Sequence, residues 1–208
     1  MLRYALLLAM ASVLGGCIGV QVGTKPTSKT YEFASYSIDV PGDEWGVGEV
    51  DSSAERVEFL HASYAFMAGT VTSETKLGVF RVQPDNWSWS DEETANAYRD
   101  EMQRSIAKEA GQHAYEVKDI RRGVTEIAGK KLYTMSFEGG VGNWFVGGQG
   151  YTTFLYLYFP SDYERRHAFY VFALSTTSVK GSIYSESPNV KLVGPFVSSF
   201  KLKELPPP

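Results

Sequence analysis

The sequence predicts an α+β fold, an antiparallel sheet of about seven strands with one strong helix over about 91–110 and a weaker C-terminal helix. Three observations carry this. Apolar stretches rich in Val, Phe and Tyr recur between breaks built from Gly, Pro and Asp, which is the pattern of short strands joined by turns. One segment joins a helix start signal to an apolar stripe of helical period. Of the 208 residues, 43% are hydrophobic and 21% are charged, with 13 Tyr, 12 Phe and 20 Gly. That is enough for one core with tight turns, and it argues against disorder throughout.

The elements follow in order from Tyr31. Phe33, Tyr36, Ile38 and Val40 form a β-type segment, the last three alternating at period two before Pro41. Pro41 to Gly48 reads as a turn carrying Trp45. Val57 to Met67 reads as a strand with a bend near Ala62-Ser63. Leu77, Val79, Phe80 and Val82 mark another, broken by Pro84-Asp85-Asn86. The helix runs from about Asp91 to Ala110. Ser90 is its N-cap, Glu93 completes a capping box, and Gly111 stands where a C-terminal glycine is common. Ala95, Tyr98, Met102 and Ile106 form the core stripe, and Asp100 is placed to pair with Arg104 one turn on.

Tyr115, Val117 and Asp119-Ile120 open a strand that reaches Thr125 or Ile127, and Ala128-Gly129-Lys130 is a hairpin turn. Leu132 to Phe137 returns. Residues 139–150 carry six glycines and read as a long loop with Asn143-Trp144-Phe145 at its centre. Thr152 to Phe159 and Ala168 to Leu174 are two more strands, joined through Pro160-Ser161-Asp162. Val190, Val193, Val197 and Phe200 have helical spacing interrupted by Gly194-Pro195, so a short helix leading into a terminal strand, or a broken helix, is expected. No repeat of 20–50 residues is visible.

This order resembles the PsbP-like fold. That fold is shared by a photosystem II extrinsic subunit, a Ran-binding nuclear import factor and many bacterial envelope proteins. The resemblance rests on FASYSIDVPGDEW at 33–45, the helix beginning at Ser90, the hairpin from Glu126 to Lys130 and the closing Val197-Ser198-Ser199-Phe200. It covers about residues 31–203 and departs from the family in the glycine-rich 139–150. It implies a non-catalytic binding or assembly role, since that is what most members do.

The N-terminus carries a separate signal. Arg3 is followed by eleven uncharged residues, Tyr4 to Leu14, within the range of a signal peptide and short for a membrane span. Leu14-Gly15-Gly16-Cys17 resembles the bacterial lipobox. In that motif the cysteine thiol takes a diacylglyceryl group, and small residues before it admit the peptidase. Each buried CH₂ adds about 0.8 kcal/mol of membrane affinity, so the two or three palmitate-type chains of a mature lipoprotein hold firmly where one would not. Cys17 is the only cysteine and so has no intramolecular disulfide partner. The uncharged run from Ala5 to Val22 also admits an uncleaved anchor, and Ala11 or Gly16 an ordinary cleavage site. The reading taken is residues 1–16 as signal peptide, 17–30 as lipidated tether, 31–203 as one domain and 204–208 as a Pro-rich tail. Ile18 is not the aspartate that resembles an inner-membrane retention signal. The expected location is therefore the cell envelope, facing the periplasm from the outer membrane if the host has two membranes.

The chemistry of the chain points away from an enzyme. Net charge is −4, and −5 without residues 1–16, which lacks the basic footprint of a nucleic-acid binder. The paired basics Arg121-Arg122, Lys130-Lys131 and Arg165-Arg166 read as solvated strand ends. His61, His113 and His167 lie in three different elements, without the local ligand pairs of a metal site. The carboxylates at Glu49-Asp51, Glu55-Glu58 and Asp91-Glu92-Glu93 make no calcium loop. No G-x-S-x-G, S-x-x-K or phosphate-binding glycine motif occurs, so neither cofactor nor metal is expected. Trp144 and Phe145, with Trp87 and Trp89 beside the helix start, are the candidates for contact with a protein or cell-envelope partner. A carrier of an apolar ligand between helix and sheet, and a hydrolase with a non-local site, are the alternatives.

Overall fold

The computed structural model describes residues 23–65, 70–84, 89–113, 116–143, 147–179 and 190–204. Alternation builds the large sheet. Seven strands, β3 (Gly46–Asp51), β4 (Arg56–Ala65), β5 (Thr70–Val82), β6 (Glu116–Ile127), β7 (Lys130–Asn143), β8 (Gly147–Tyr158) and β9 (Phe169–Val179), lie in the order β3-β4-β5-β9-β8-β7-β6. All neighbours are antiparallel. A second sheet of three short strands, in the order β1-β2-β10, joins β1 (Thr30–Glu32), β2 (Tyr36–Asp39) and β10 (Lys201–Leu202). The fold class is α+β, as the strand and helix patterns predict.

Opposed residues of antiparallel neighbours share a face, so the register assigns two faces to the large sheet. On one face Val57, Phe59, Leu77, Val79, Leu132, Phe172 and Leu174 are buried against Tyr36 and Ile38 of β2 and against Val193, Phe196, Val197 and Phe200. The last four belong to or follow helix α3 (Val193–Ser199), which a 3-10 turn at Val190–Leu192 introduces. Gly194 and Pro195 do not interrupt this helix. They fall in its first turn, where a proline lacks only a hydrogen bond that no residue there would make.

On the other face lies helix α1 (Asp91–His113). Ala95, Tyr98, Met102 and Ile106 pack on Tyr133, Met135, Phe137, Leu155, Leu157, Phe169 and Val171. The capping box forms as its spacing predicts: Ser90 N–H donates to Glu93 Oε2 at 2.9 Å and Glu93 N–H to Ser90 Oγ at 3.3 Å. That exchange holds the Glu93 carboxyl below its usual range, chiefly through the Ser90 backbone. Full burial raises the Tyr98 hydroxyl well above its usual range. α1 does not stop before Gly111 but continues to His113, and Arg104 pairs with Glu101 at 2.7 Å rather than with Asp100. Asp100 instead reaches Arg122 of β6 at 2.6 Å. Propensity sets helix ends weakly, and the exposed Arg104 has equal reach to the third and fourth residues before it.

Three further sequence expectations change. The segment from Phe33 to Val40 is not one strand: β1 and β2 pair with each other through a tight turn, Thr30 opposite Asp39 and Glu32 opposite Ser37. The turn expected at 41–48 ends sooner, because β3 begins at Gly46 and Trp45 is buried in the core. The described residues of the glycine-rich 139–150 are not a loop but strand. Gly139 pairs with Tyr151, Gly140 with Gly150 and Gly142 with Gly148, so the ladder runs on to Asn143 and Gly147. Glycine offers no side-chain alternation, so its strands leave no trace in a hydrophobic pattern. Within 17–30, Thr24 already bridges the outer edge of β3, its N–H 2.9 Å from Val47 O and its carbonyl accepting from Val47 N–H at 2.7 Å.

Candidate functional site

Cys17, Trp87, Trp144 and Phe145 lie outside the described residues. Of the residues expected to touch a partner, Trp89 is described, and it is 42% exposed immediately before the capping box. Its surroundings are fixed. Asp91, the first residue of α1, accepts from the Tyr133 hydroxyl of β7 at 3.0 Å. Lys131 donates to the same hydroxyl at 2.7 Å and lies 4.6 Å from the Tyr133 ring centre. Burial raises the Tyr133 hydroxyl above its usual range, and the Tyr133 hydroxyl in turn raises Lys131. Directly across from Tyr133 on β6 stands Val124, 57% exposed. Trp89, Lys131 and Val124 thus frame one surface where α1 begins above the β6–β7 hairpin.

Beneath that surface Arg99 of α1 is 6% exposed. It donates to Gly123 O at 3.2 Å and Thr134 O at 3.1 Å, and also to Asn96 Oδ1. Its guanidinium lies 5.8 Å from the Tyr133 ring centre. Burial lowers its affinity for the proton relative to a free arginine. An arginine in this position fastens β6 and its neighbour β7 to the helix.

The other polar clusters are committed to structure. Glu55 closes the β3–β4 turn in the left-handed region, at φ 47°, and is 6% exposed. Its carboxylate accepts from Ser35 N–H and Ser35 Oγ, each at 2.7 Å, and lies 3.4 Å from Arg81 Nε. Its carbonyl accepts from the Tyr36 hydroxyl at 2.7 Å, and burial, then the Glu55 charge, drive that hydroxyl far above its usual range. Nearby, Arg166 ends the four-residue helix α2 (Tyr163–Arg166). It is buried, not a solvated strand end: it donates to Asp162 Oδ1 at 2.6 Å and to the carbonyl of Lys203 at 2.9 Å. These contacts tie the β1–β2 hairpin, the β3–β4 turn and the C-terminal strand together.

A ladder of charges crosses β3, β4 and β5 on the face that carries α1 further along. Arg56 lies 3.2 Å from Glu49 and 3.7 Å from Glu58, and Lys76 lies 3.8 Å from Glu58 and 3.2 Å from Glu74. Burial is the largest influence on Glu58 and raises its pKa, the two cations offsetting part of that. Glu49 and Glu58 are thereby part of a mutually neutralising row, and among the described residues no three His, Cys, Asp or Glu side chains gather to hold a metal ion.

The histidines do not converge. His61 stands on β4 opposite Thr75, its ring centre 5.4 Å from that of Trp45 and tilted 42° to it. His167 is the exposed left-handed residue, φ 48°, that ends α2. Thr75 and Val82, which opposes Phe169, are seven residues apart on β5, roughly 23 Å, so the two imidazoles sit at opposite ends of the sheet. His113 closes α1. Between α1 and the sheet, where the alternative carrier reading would place an apolar ligand, lie the chain's own side chains, Tyr98, Met102 and Ile106 above Met135, Leu155 and Leu157.

Sequence reading alone does not reach Glu55, Arg99 and Arg166, because a charged residue in a polar stretch gives no sign that its partners are buried. Val124 is visible as one member of an alternating stretch, but its place on an edge strand comes only from the topology.

The chain is similar to the solution structure of cyanobacterial PsbP (CyanoP) from Synechocystis sp. PCC 6803, with 15% identity and a TM-score of 0.45 over 92% of this chain and 99% of that one. No family model matches the chain, and no curated protein does. Among the described residues no helix is long and apolar enough to cross a membrane.

Proposed function

We propose that this chain is a non-enzymatic lipoprotein of the bacterial cell envelope, held to a membrane through lipid on Cys17, whose folded domain docks a protein partner. The observation that carries the docking role is Trp89. A tryptophan left 42% exposed next to a rigid capping box, with the exposed Val124 across the Asp91–Tyr133–Lys131 bonds, is a pre-ordered apolar contact in a fixed polar frame. Interfaces take much of their energy from such anchors, Trp foremost. Trp144 and Phe145, between the paired Asn143 and Gly147, and Trp87 belong to the same proposal as contacts. In support of a non-catalytic role, the described carboxylates and arginines with buried contacts bind each other, neighbouring polar side chains or the backbone.

A photo-crosslinker at position 89 of the full-length protein in native membranes should capture one discrete species. The same group at the exposed position 104 should capture it far less. Equal labelling from both positions contradicts docking at the start of α1. Incorporation of labelled fatty acid should vanish in Cys17→Ser, and incorporation that persists refutes the anchor.

A further inference from the structure

β6 is the terminal strand of the large sheet, and among the described residues no strand pairs with its outer side. Open edges invite pairing with another chain, and proteins guard them with charges, bulges and cover. β6 carries a bulge between Lys118 and Arg121, where Asp119 takes φ 52°, and it ends at the hairpin turn, where Ala128 takes φ 53°. Between those limits the seven residues Arg121–Ile127 form an uninterrupted ladder with β7. The middle residue of that stretch is Val124, the most exposed of the large hydrophobic residues described.

The charges of this stretch do not guard it against a copy of itself. In an antiparallel pair of two β6 strands centred on Val124, Val124 opposes Val124 of the second copy and Arg122 opposes Glu126, twice by symmetry. Thr125 opposes Gly123, and Arg121 opposes Ile127. Opposed residues share a face, so the Val124 pair is flanked on both sides by an Arg122–Glu126 pair. Cross-strand apolar and opposite-charge pairs of this kind stabilise antiparallel strands, and a two-fold contact requires this reciprocity. Glu126 is exposed and takes part in none of the described ion pairs. Arg122 keeps its bonds to Asp100 and Gln103 while its exposed side stays available.

We infer that β6 is a self-association edge, at which a second copy of this chain adds antiparallel to Arg121–Ile127 with Val124 on the two-fold axis. The two sheets then run on as one.

The register makes this testable by cysteine placement in the full-length protein, with the parent chain, whose only cysteine is Cys17, as the background. Val124→Cys should form a disulfide-linked dimer under mild oxidation. Glu126→Cys alone should not, because each copy's residue 126 is four positions, about 13 Å, from its counterpart along the pair. A mixture of Arg122→Cys and Glu126→Cys proteins should link to each other, about tenfold more than Glu126→Cys links to itself, because opposed Cβ atoms lie about 5 Å apart. All three positions are exposed, and unchanged melting temperatures will show that the domain is intact. Failure of Val124→Cys to link above the parent, or linkage of Glu126→Cys alone at the same level, overturns the proposal.

Discussion

At one edge of the large sheet β3 is six residues long, carries Glu49 and Asp51 in close succession and is bridged on its outer side by Thr24. At the other edge β6 is twelve residues long, mixes Arg and Glu at reciprocal spacing and has no described strand beyond it. The first edge is bridged by the chain itself at Val47, and a second β3 brought alongside would set acid against acid. The second is open along seven regular residues, and its charges attract when the strand meets its own copy. If β6 pairs with its own copy as inferred, an edge is protected by the arrangement of its charges, not by their number. Val124 lies on the open edge, and Trp89 stands beside it through the Asp91–Tyr133 bond.

The largest effect on this contrast should come from Glu55→Gln. That change strips charge from the acceptor of the Ser35 bonds and leaves Arg81 short of its counter-ion beside the closed edge. A loss of about 2–3 kcal/mol is expected in denaturant unfolding, with β1 and β2 losing amide protection first. Next comes Arg99→Met, which keeps the aliphatic stem but frees the carbonyls of Gly123 and Thr134. A loss of about 2 kcal/mol is expected, and exchange should quicken in β6 while β3 is unchanged.

The capping box gives a smaller and pH-dependent effect. Ser90→Ala should destabilise by about 1 kcal/mol at neutral pH. Because the folded-state pKa of Glu93 is depressed, its contribution is present above the unfolded pKa of about 4.3 and is lost as pH falls through the lower folded value. The difference between the parent and Glu93→Gln should therefore shrink on acidification below that point. The smallest effect should be a gain. Ala128 occupies the first of two positive-φ positions in the β6–β7 turn, φ 53° before Gly129 at 71°. Asn suits that position, so Ala128→Asn should raise stability by about 0.5 kcal/mol. A fall in melting temperature would show that the turn does not constrain β6 as described.

How much of this was legible beforehand follows from how local each signal is. The capping box at Ser90 and Glu93, the stripe from Ala95 to Ile106 and the turn at Ala128-Gly129 depend on residues a few positions apart, and each appears where the sequence puts it. The paired glycines of 139–150 leave the sequence looking like a loop because glycine writes no alternation into a strand. The break at Phe33–Tyr36 leaves no mark in the sequence, because a tight hairpin between two short strands keeps the same apolar residues in the same order. The candidate surface was half visible: Trp89 by its type and place, Val124 only once the strand order made β6 an edge. Glu55, Arg99 and Arg166 acquire their roles from partners 20 to 37 positions away or more, which no spacing rule reaches.

The contrast between the edges is tested most directly by amide hydrogen exchange on the full-length protein at low and high protein concentration. Protection across Arg121–Ile127 should rise with concentration, while that of Gly46–Asp51, already bridged by Thr24, stays constant. Protection of β6 that does not depend on concentration, or a parallel rise at both edges, would contradict the assignment of one closed and one associating edge.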